Sequence, residues 1–267
     1  MELVKQLHSL YERYNDRKYV HPDPLEFLYN YPDIKDREVA GLIAALLAYG
    51  RVAQILKSVS TVLEFTGKPF EYLKNSTKKN IYDDFKSFKH RFTTGEDISS
   101  LLFSIKEIIN DYGSLNNCFS KGFDKNDETI LPALRNFIKK FGDKIDNRYN
   151  SLLSIPEGSS AFKRFNLYLR WMARKDNVDP GGWEGIPASK LIVPLDVHMY
   201  RICCGLNFTK RKQADIKSAL IITNSFRSFS PDDPVMFDFA LTRLGMTKDD
   251  SLNDLLRECL IPKEIII

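Results

Sequence analysis

The chain has 267 residues, 43% of them apolar and 28% charged, with a formal net charge of +4. These proportions suit a globular protein able to bury one or two cores and exclude a disordered or fibrous chain. No apolar run reaches the roughly 18 residues that a bilayer-spanning helix needs, and Met1-Glu2-Leu3-Val4-Lys5-Gln6 lacks the apolar core of a secretory signal, so a cytoplasmic location without membrane attachment is expected.

In chain order, apolar residues recur at helical spacing almost throughout. Helices are expected over residues 3–15, around Leu42, Ile43, Leu46 and Leu47, around Ile55, Val59, Val62 and Leu63, and around Leu101, Leu102, Ile105, Ile108 and Ile109. Others are expected over 128–141, 161–174, 197–206, 213–227, 234–244 and 251–259. No alternating strand pattern interrupts them, so the expected fold class is all-α. His21-Pro22-Asp23-Pro24 ends the first helix, Thr66-Gly67-Lys68-Pro69 closes the third, and Ser230-Pro231-Asp232-Asp233-Pro234 opens a late one with acidic capping residues. The longest irregular stretch, 176–194, holds Asp179-Pro180-Gly181-Gly182-Trp183 and reads as an ordered loop within one module.

Cysteines at 118, 203, 204 and 259 lack any CxxC spacing, which argues against a zinc or iron–sulfur site and fits reduced thiols. Charge is uneven along the chain. Residues 158–230 hold twelve Lys and Arg against five Asp and Glu, while the remainder holds 27 against 30. An anionic polymer would select that asymmetry, and a solvated face on ordinary helices would show it too.

Within the basic stretch, Phe162, Phe165, Leu169 and Met172 share one helix face and Lys163, Arg170 and Arg174 another. With Ser159 or Ser160 as N-cap, Lys163 falls in the first turn, against the positive end of the helix dipole, where a cation costs about 0.3–1 kcal/mol. The same field disfavours the ammonium form, the direction that a Schiff-base nucleophile needs. An ordinary exposed cation at a helix start is the other reading. Asp196, after Pro194-Leu195, is a good N-cap worth about 1 kcal/mol. An ionised carboxylate held there could also stabilise positive charge developing at a sugar anomeric carbon. Gly158, Ser159 and Ser160, in Ile155-Pro156-Glu157-Gly158-Ser159-Ser160, could present backbone N–H groups to phosphate at a turn between two helices.

Leu195-Asp196-Val197-His198-Met199-Tyr200-Arg201-Ile202, followed by Gly205-Leu206, resembles the V-D-x-H-x-x-R-V segment of the helix-hairpin-helix DNA glycosylase superfamily, which includes endonuclease III and the archaeal 8-oxoguanine glycosylase. Asp23-Pro24-Leu25-Glu26-Phe27-Leu28 and Leu42-Ile43-Ala44-Ala45-Leu46-Leu47 are similar to the opening of its six-helix barrel, and 236–245 to its penultimate helix. Within the superfamily the chain also resembles a bacterial family of unassigned function.

The resemblance implies two packed helical subdomains, with a helix-hairpin-helix element and a cleft between them, in a single module over 1–267. One subdomain would cover 24–175 and end in the hairpin at 155–174. The other would combine 1–23 with 190–267. The long interval between Lys163 and Asp196 implies an insertion at 176–189 that loops out. Lys163 would be the nucleophile and Asp196 the catalytic carboxylate of a base-excision DNA repair glycosylase with AP lyase activity, acting on double-stranded DNA with a damaged base or abasic site. An oxidised purine is the first candidate lesion. Phosphate contacts would fall to Gly158, Ser159, Ser160, Arg164, Arg170, Arg174, Lys210, Arg211 and Lys212. Tyr49, which replaces the family's polar wedge, and Trp171, Trp183 and His198 are candidates for the base pocket or wedge, with core packing the alternative for the aromatic residues. The protein would act as a monomer without an iron–sulfur cluster or other cofactor, save a monovalent cation at the hairpin. A catalytically inactive DNA-structure-binding module of the same fold is the competing reading, and a helical interaction protein without a nucleic-acid role is a third.

Overall fold

A computed structural model describes residues 2–145 and 149–246, and the expected helix over 251–259, with Cys259, lies outside them. The described residues are mostly helical, as an all-α chain requires. Helix α1 (Glu2–Tyr14) is followed by two 3-10 segments, Arg17–Tyr19 and Pro24–Asn30. Helix α2 (Ile34–Leu46) starts where the Asp33 side chain accepts from Lys35 N, and runs almost wholly buried because its interior is Val, Ala, Gly, Leu and Ile. Gly41 lets Leu28, Met172 and Tyr168 close on the α2 backbone.

Helix α3 (Val52–Thr66) stops at Gly67, which takes φ 61°, as the Gly-Lys-Pro break predicts. Helices α4 (Pro69–Asn75) and α5 (Lys78–Phe85) lead to a hairpin of two strands, β1 (Lys89–His90) and β2 (Thr93–Thr94). Then come α6 (Gly95–Tyr112), α7 (Leu115–Ser120), α8 (Leu131–Asp143), α9 (Lys163–Ala173), α10 (Val197–Gly205), α11 (Ile216–Arg227) and α12 (Asp238–Met246). α2 packs on α9 in the core, while α12 packs on both α1 and α10, bringing early and late segments together.

Several expectations shift. The short α4, α5 and α7 and the hairpin escape a periodicity reading because each is shorter than the window in which an apolar stripe stands out. Residues 234–237 form turns rather than the first turn of α12, since Asp233 is drawn to Arg174. The 176–189 segment packs inward instead of looping out: Val178, Asp179, Trp183 and Ile186 are buried, and Gly181 N and Trp183 N donate to the carbonyls of Trp171 and Met172. Arg170 of α9 and Arg174 just after it are buried and require carboxylates, and this segment supplies two of them, Asp176 and Asp179.

Glu38 illustrates the same demand on α2. Its buried carboxylate accepts from Leu115 N, Asn116 N and the Trp183 indole, fixing the start of α7 and the inward loop. Burial pushes it up to about 6, against those three donors.

Candidate active site

α9 does not begin on a serine cap. Ser160 Oγ accepts from Phe162 N, and Phe162 itself is the N-cap, held at φ 48° while its ring is buried. Lys163 is therefore the first helical residue, in the first turn as expected. Asp196 caps α10 as expected, with Oδ1 accepting from Met199 N at 2.8 Å. Its other oxygen lies 3.1 Å from Lys163 Nζ, with the two side chains 27% and 33% exposed. Burial opposes ionisation of Asp196, but the Lys163 ammonium and the Met199 N–H outweigh it and hold the carboxyl below its usual range.

The pair sits on the wall of a cavity of about 450 Å³. Its lining comes from 22–24, 48–55, 154–170, 194–198 and 238–242, so distant parts of the chain meet there. Asp238, not singled out from sequence, lies on this wall as well. It pairs with Arg170, and burial pushes it up to about 6 although Arg170 pulls the other way. Its signal was available: a lone carboxylate between Phe237 and Phe239 must find a partner if the run is buried.

Four of the nine expected phosphate contacts are engaged inside the protein. Arg164 is half-buried, with Nη1 and Nη2 each 2.6 Å from the carbonyls of Leu46 and Ser151, so it straps the cavity floor. Arg170 and Arg174 are buried among Asp176, Asp179, Asp233 and Asp238. Arg211 is tied to Asp215 and Ser218 at 2.6 and 3.1 Å. These four corrections share one cause, since a guanidinium makes several bonds at once and is readily recruited to internal acceptors. Lys210 and Lys212 are exposed, as are Ser159 and Ser160, while Gly158 is half-buried.

The hairpin expectation is also corrected. α8 ends at Asp143, and residues 149–162 contain no helix, so the 155–160 turn joins an irregular segment to α9. The Ile155 carbonyl accepts from Gly158 N and the Ser159 carbonyl from Ile216 N. Among the described residues no group of three or more His, Cys, Asp or Glu could hold a metal ion, and no helix is long and apolar enough to cross a membrane.

Of the aromatic candidates, Trp171 is fully buried in the core and does not line the cavity. Trp183 is likewise interior, its indole bonded to Glu38 and its ring packed against Phe119, Phe137 and Tyr168. Both are too large and apolar to leave the core of a helical protein cheaply. Tyr49 and His198 do line the cavity. Tyr49 is not a free wedge, because its hydroxyl lies 2.9 Å from the His90 carbonyl and 2.6 Å from Thr93 Oγ1, and the Arg164 guanidinium covers its ring. His198 is exposed at the rim.

Fold and site thus define a helical protein with a lysine–carboxylate pair on a cleft wall. Residues 23–247 match the model of a family described as a protein of unknown function (DUF2400), and the chain belongs to that family. No curated protein and no solved structure matches it.

Proposed function

We propose that the protein is a DNA-repair glycosylase with a lyase step, in which Lys163 forms a Schiff base with the sugar of a damaged nucleotide. The observation that carries this reading is the 3.1 Å approach of Lys163 Nζ to Asp196 Oδ2 on an open cavity wall. At about 450 Å³ the cavity falls within the range of about 300–1,000 Å³ typical of small-molecule sites. A base extruded from a duplex would enter it.

In this scheme Lys163, once deprotonated, attacks C1′ as the glycosidic bond breaks and the base leaves with the bonding electrons. Loss of a proton from the amine opens the sugar to the Schiff base, and abstraction of a C2′ proton expels the 3′ phosphate. Asp196 stabilises the positive charge that develops at C1′ and is placed to exchange a proton with the amine. The proposal extends to two helical subdomains, 24–175 and 1–23 with 190–267. The packing of α12 on α1 and α10, and a cavity lined from both ranges, support it. Lys210, Lys212, Ser159 and Ser160 are the phosphate contacts retained, since Gly158 N already donates to the Ile155 carbonyl. A monomer on double-stranded DNA suffices, and an oxidised purine is the first lesion to try, by resemblance alone.

Borohydride trapping on duplexes containing an abasic site or 8-oxoguanine tests the proposal. A covalent adduct is expected with the wild type and none with Lys163→Ala. Asp196→Asn should slow adduct formation by about 10²-fold or more. Because Lys163 is already engaged by Asp196, a second reading keeps the DNA-binding fold without catalysis. Binding without trapping, unchanged in Lys163→Ala, selects it.

A further inference from the structure

The hairpin of β1 and β2 carries a feature that its own turn chemistry disfavours. His90 pairs with Thr93, leaving Arg91 and Phe92 as a two-residue loop. Such loops strongly prefer glycine or asparagine where φ is positive. Here Arg91 takes φ 51° with a full side chain. Phe92, beside it, is 73% exposed, the most exposed large apolar side chain among the described residues. An arginine at positive φ and a phenylalanine facing solvent both run against local preference, and rules broken at this level point to function.

The loop is also firmly planted. His90 is buried, with one ring nitrogen 2.9 Å from Ser58 Oγ and the other 3.1 Å from the Tyr49 carbonyl. Thr93 Oγ1 lies 2.6 Å from the Tyr49 hydroxyl and 2.7 Å from Ser151 Oγ. The root of the hairpin is therefore bonded to the segment that lines the cavity. At its tip, the Arg91 side chain lies over Gly50, another cavity residue. A Cβ on Gly50 would come within 2.7 Å of Arg91 Cδ and 2.9 Å of Nη1. The guanidinium carbon stands 5.3 Å from the Phe92 ring centre. Arg51 and Lys89 are exposed close by in the chain.

We propose that Arg91 and Phe92 form a stacking finger at the cavity rim that takes an unstacked nucleobase, with Arg51 and Lys89 meeting the flanking phosphates. An exposed aromatic ring with a cation beside it offers a base a π-face and offers the strand a charge, and it does so without reading sequence. A helical protein that fixes an aromatic side chain in solvent by burying a histidine and a threonine beneath it, bonded to a half-buried tyrosine, has preorganised that surface. The inference rests on the DNA reading above and deepens it. The preferred substrate is DNA with a disrupted stack, in preference to intact duplex.

The test uses the full chain and a duplex with a tetrahydrofuran abasic analogue opposite 2-aminopurine. Wild-type protein should change the 2-aminopurine fluorescence on binding. Phe92→Ala should abolish that change and weaken binding about tenfold or more, with binding to undamaged duplex moving less than about twofold. Phe92→Trp should restore both. Phe92→Ala is exposed and should leave the melting temperature unchanged, so lost binding reports the ring itself. Equal fluorescence change and affinity in wild type and Phe92→Ala, or no change with either, overturns the finger. Trapping at Lys163 reports separately: a Phe92-dependent signal without trapping keeps the finger and removes the glycosylase, and trapping without that signal does the reverse.

Discussion

The two ends of α9 hold positive side chains in opposite ways. At its start, Lys163 has one carboxylate partner, a third of its side chain in solvent, and a cavity in front of it. At its end, Arg170 and Arg174 are buried and divide four carboxylates between them: Asp179 bridges both, Asp238 binds Arg170, and Asp176 and Asp233 bind Arg174. Redundant partners and full burial make the second cluster a structural joint, since it ties α9 to the inward loop and to α12. A single partner and access to solvent leave the first pair without those ties. Sequence charge alone could not separate the two, because all these cations count equally toward the basic stretch.

The comparison breaks first, and by the largest amount, at the buried end. Asp179 accepts from Arg170 Nη2 at 3.1 Å and from Arg174 Nη1 at 2.8 Å, and it is wholly buried. Asp179→Ala strands part of two buried charges, so a loss of about 3–5 kcal/mol of stability is expected. Urea unfolding measures it. A loss below about 1 kcal/mol would show that the cluster is not a joint.

Glu38 sharpens the contrast, because hydrogen-bond donors, more than the charge of Lys35, offset the burial of its carboxylate. Burial raises it from 4.5 to about 6 in the folded protein. A carboxyl with a raised folded value binds its proton more tightly when folded. Its contribution to stability is thus complete below about pH 4.5 and is lost as pH rises through about 6. The loss across that window should be about 2 kcal/mol. Glu38→Gln removes the titration, so wild-type stability minus that of the variant should fall between pH 4.5 and 6 and stay level above it. A difference that is flat with pH would show that the three donors, and not burial, control this carboxylate.

The legible parts of the molecule are those set by local rules. Asp196 as a cap, Gly67 as a stop and the long apolar stripes of α3, α6 and α9 follow from propensity and period, and the structure keeps them. The Lys163–Asp196 contact was legible only as an expectation from order and family resemblance, because 33 residues of chain separate the two. What escaped depends on non-local partners. Arg170 and Arg174 look solvated until the acids of the 176–189 segment fold back on them. Trp171 and Trp183 offer polar N–H groups to a pocket only if the core can spare their area, and it cannot. Phe92 was invisible as a candidate because its hairpin is too short to leave a periodic pattern and its exposure is known only from the fold.

The smallest expected effect is the most discriminating. Lys163→Met removes a cation from the positive end of α9, which should return about 0.3–1 kcal/mol. It also removes a partly exposed ion pair, worth about 0–1 kcal/mol. Asp196 keeps its bond from Met199 N and remains a cap in the variant, so the two terms nearly cancel and stability should move by less than about 1 kcal/mol. Asp196→Ala, by contrast, loses the cap and should cost about 1 kcal/mol. A double-mutant cycle in urea then isolates the coupling between the two side chains. Coupling near zero, alongside complete loss of borohydride trapping in Lys163→Met, is what a site pair predicts. Coupling of about 3 kcal/mol or more would place Lys163 with Arg170 and Arg174 as a third member of the structural joint, and would erase the difference between the ends of the helix.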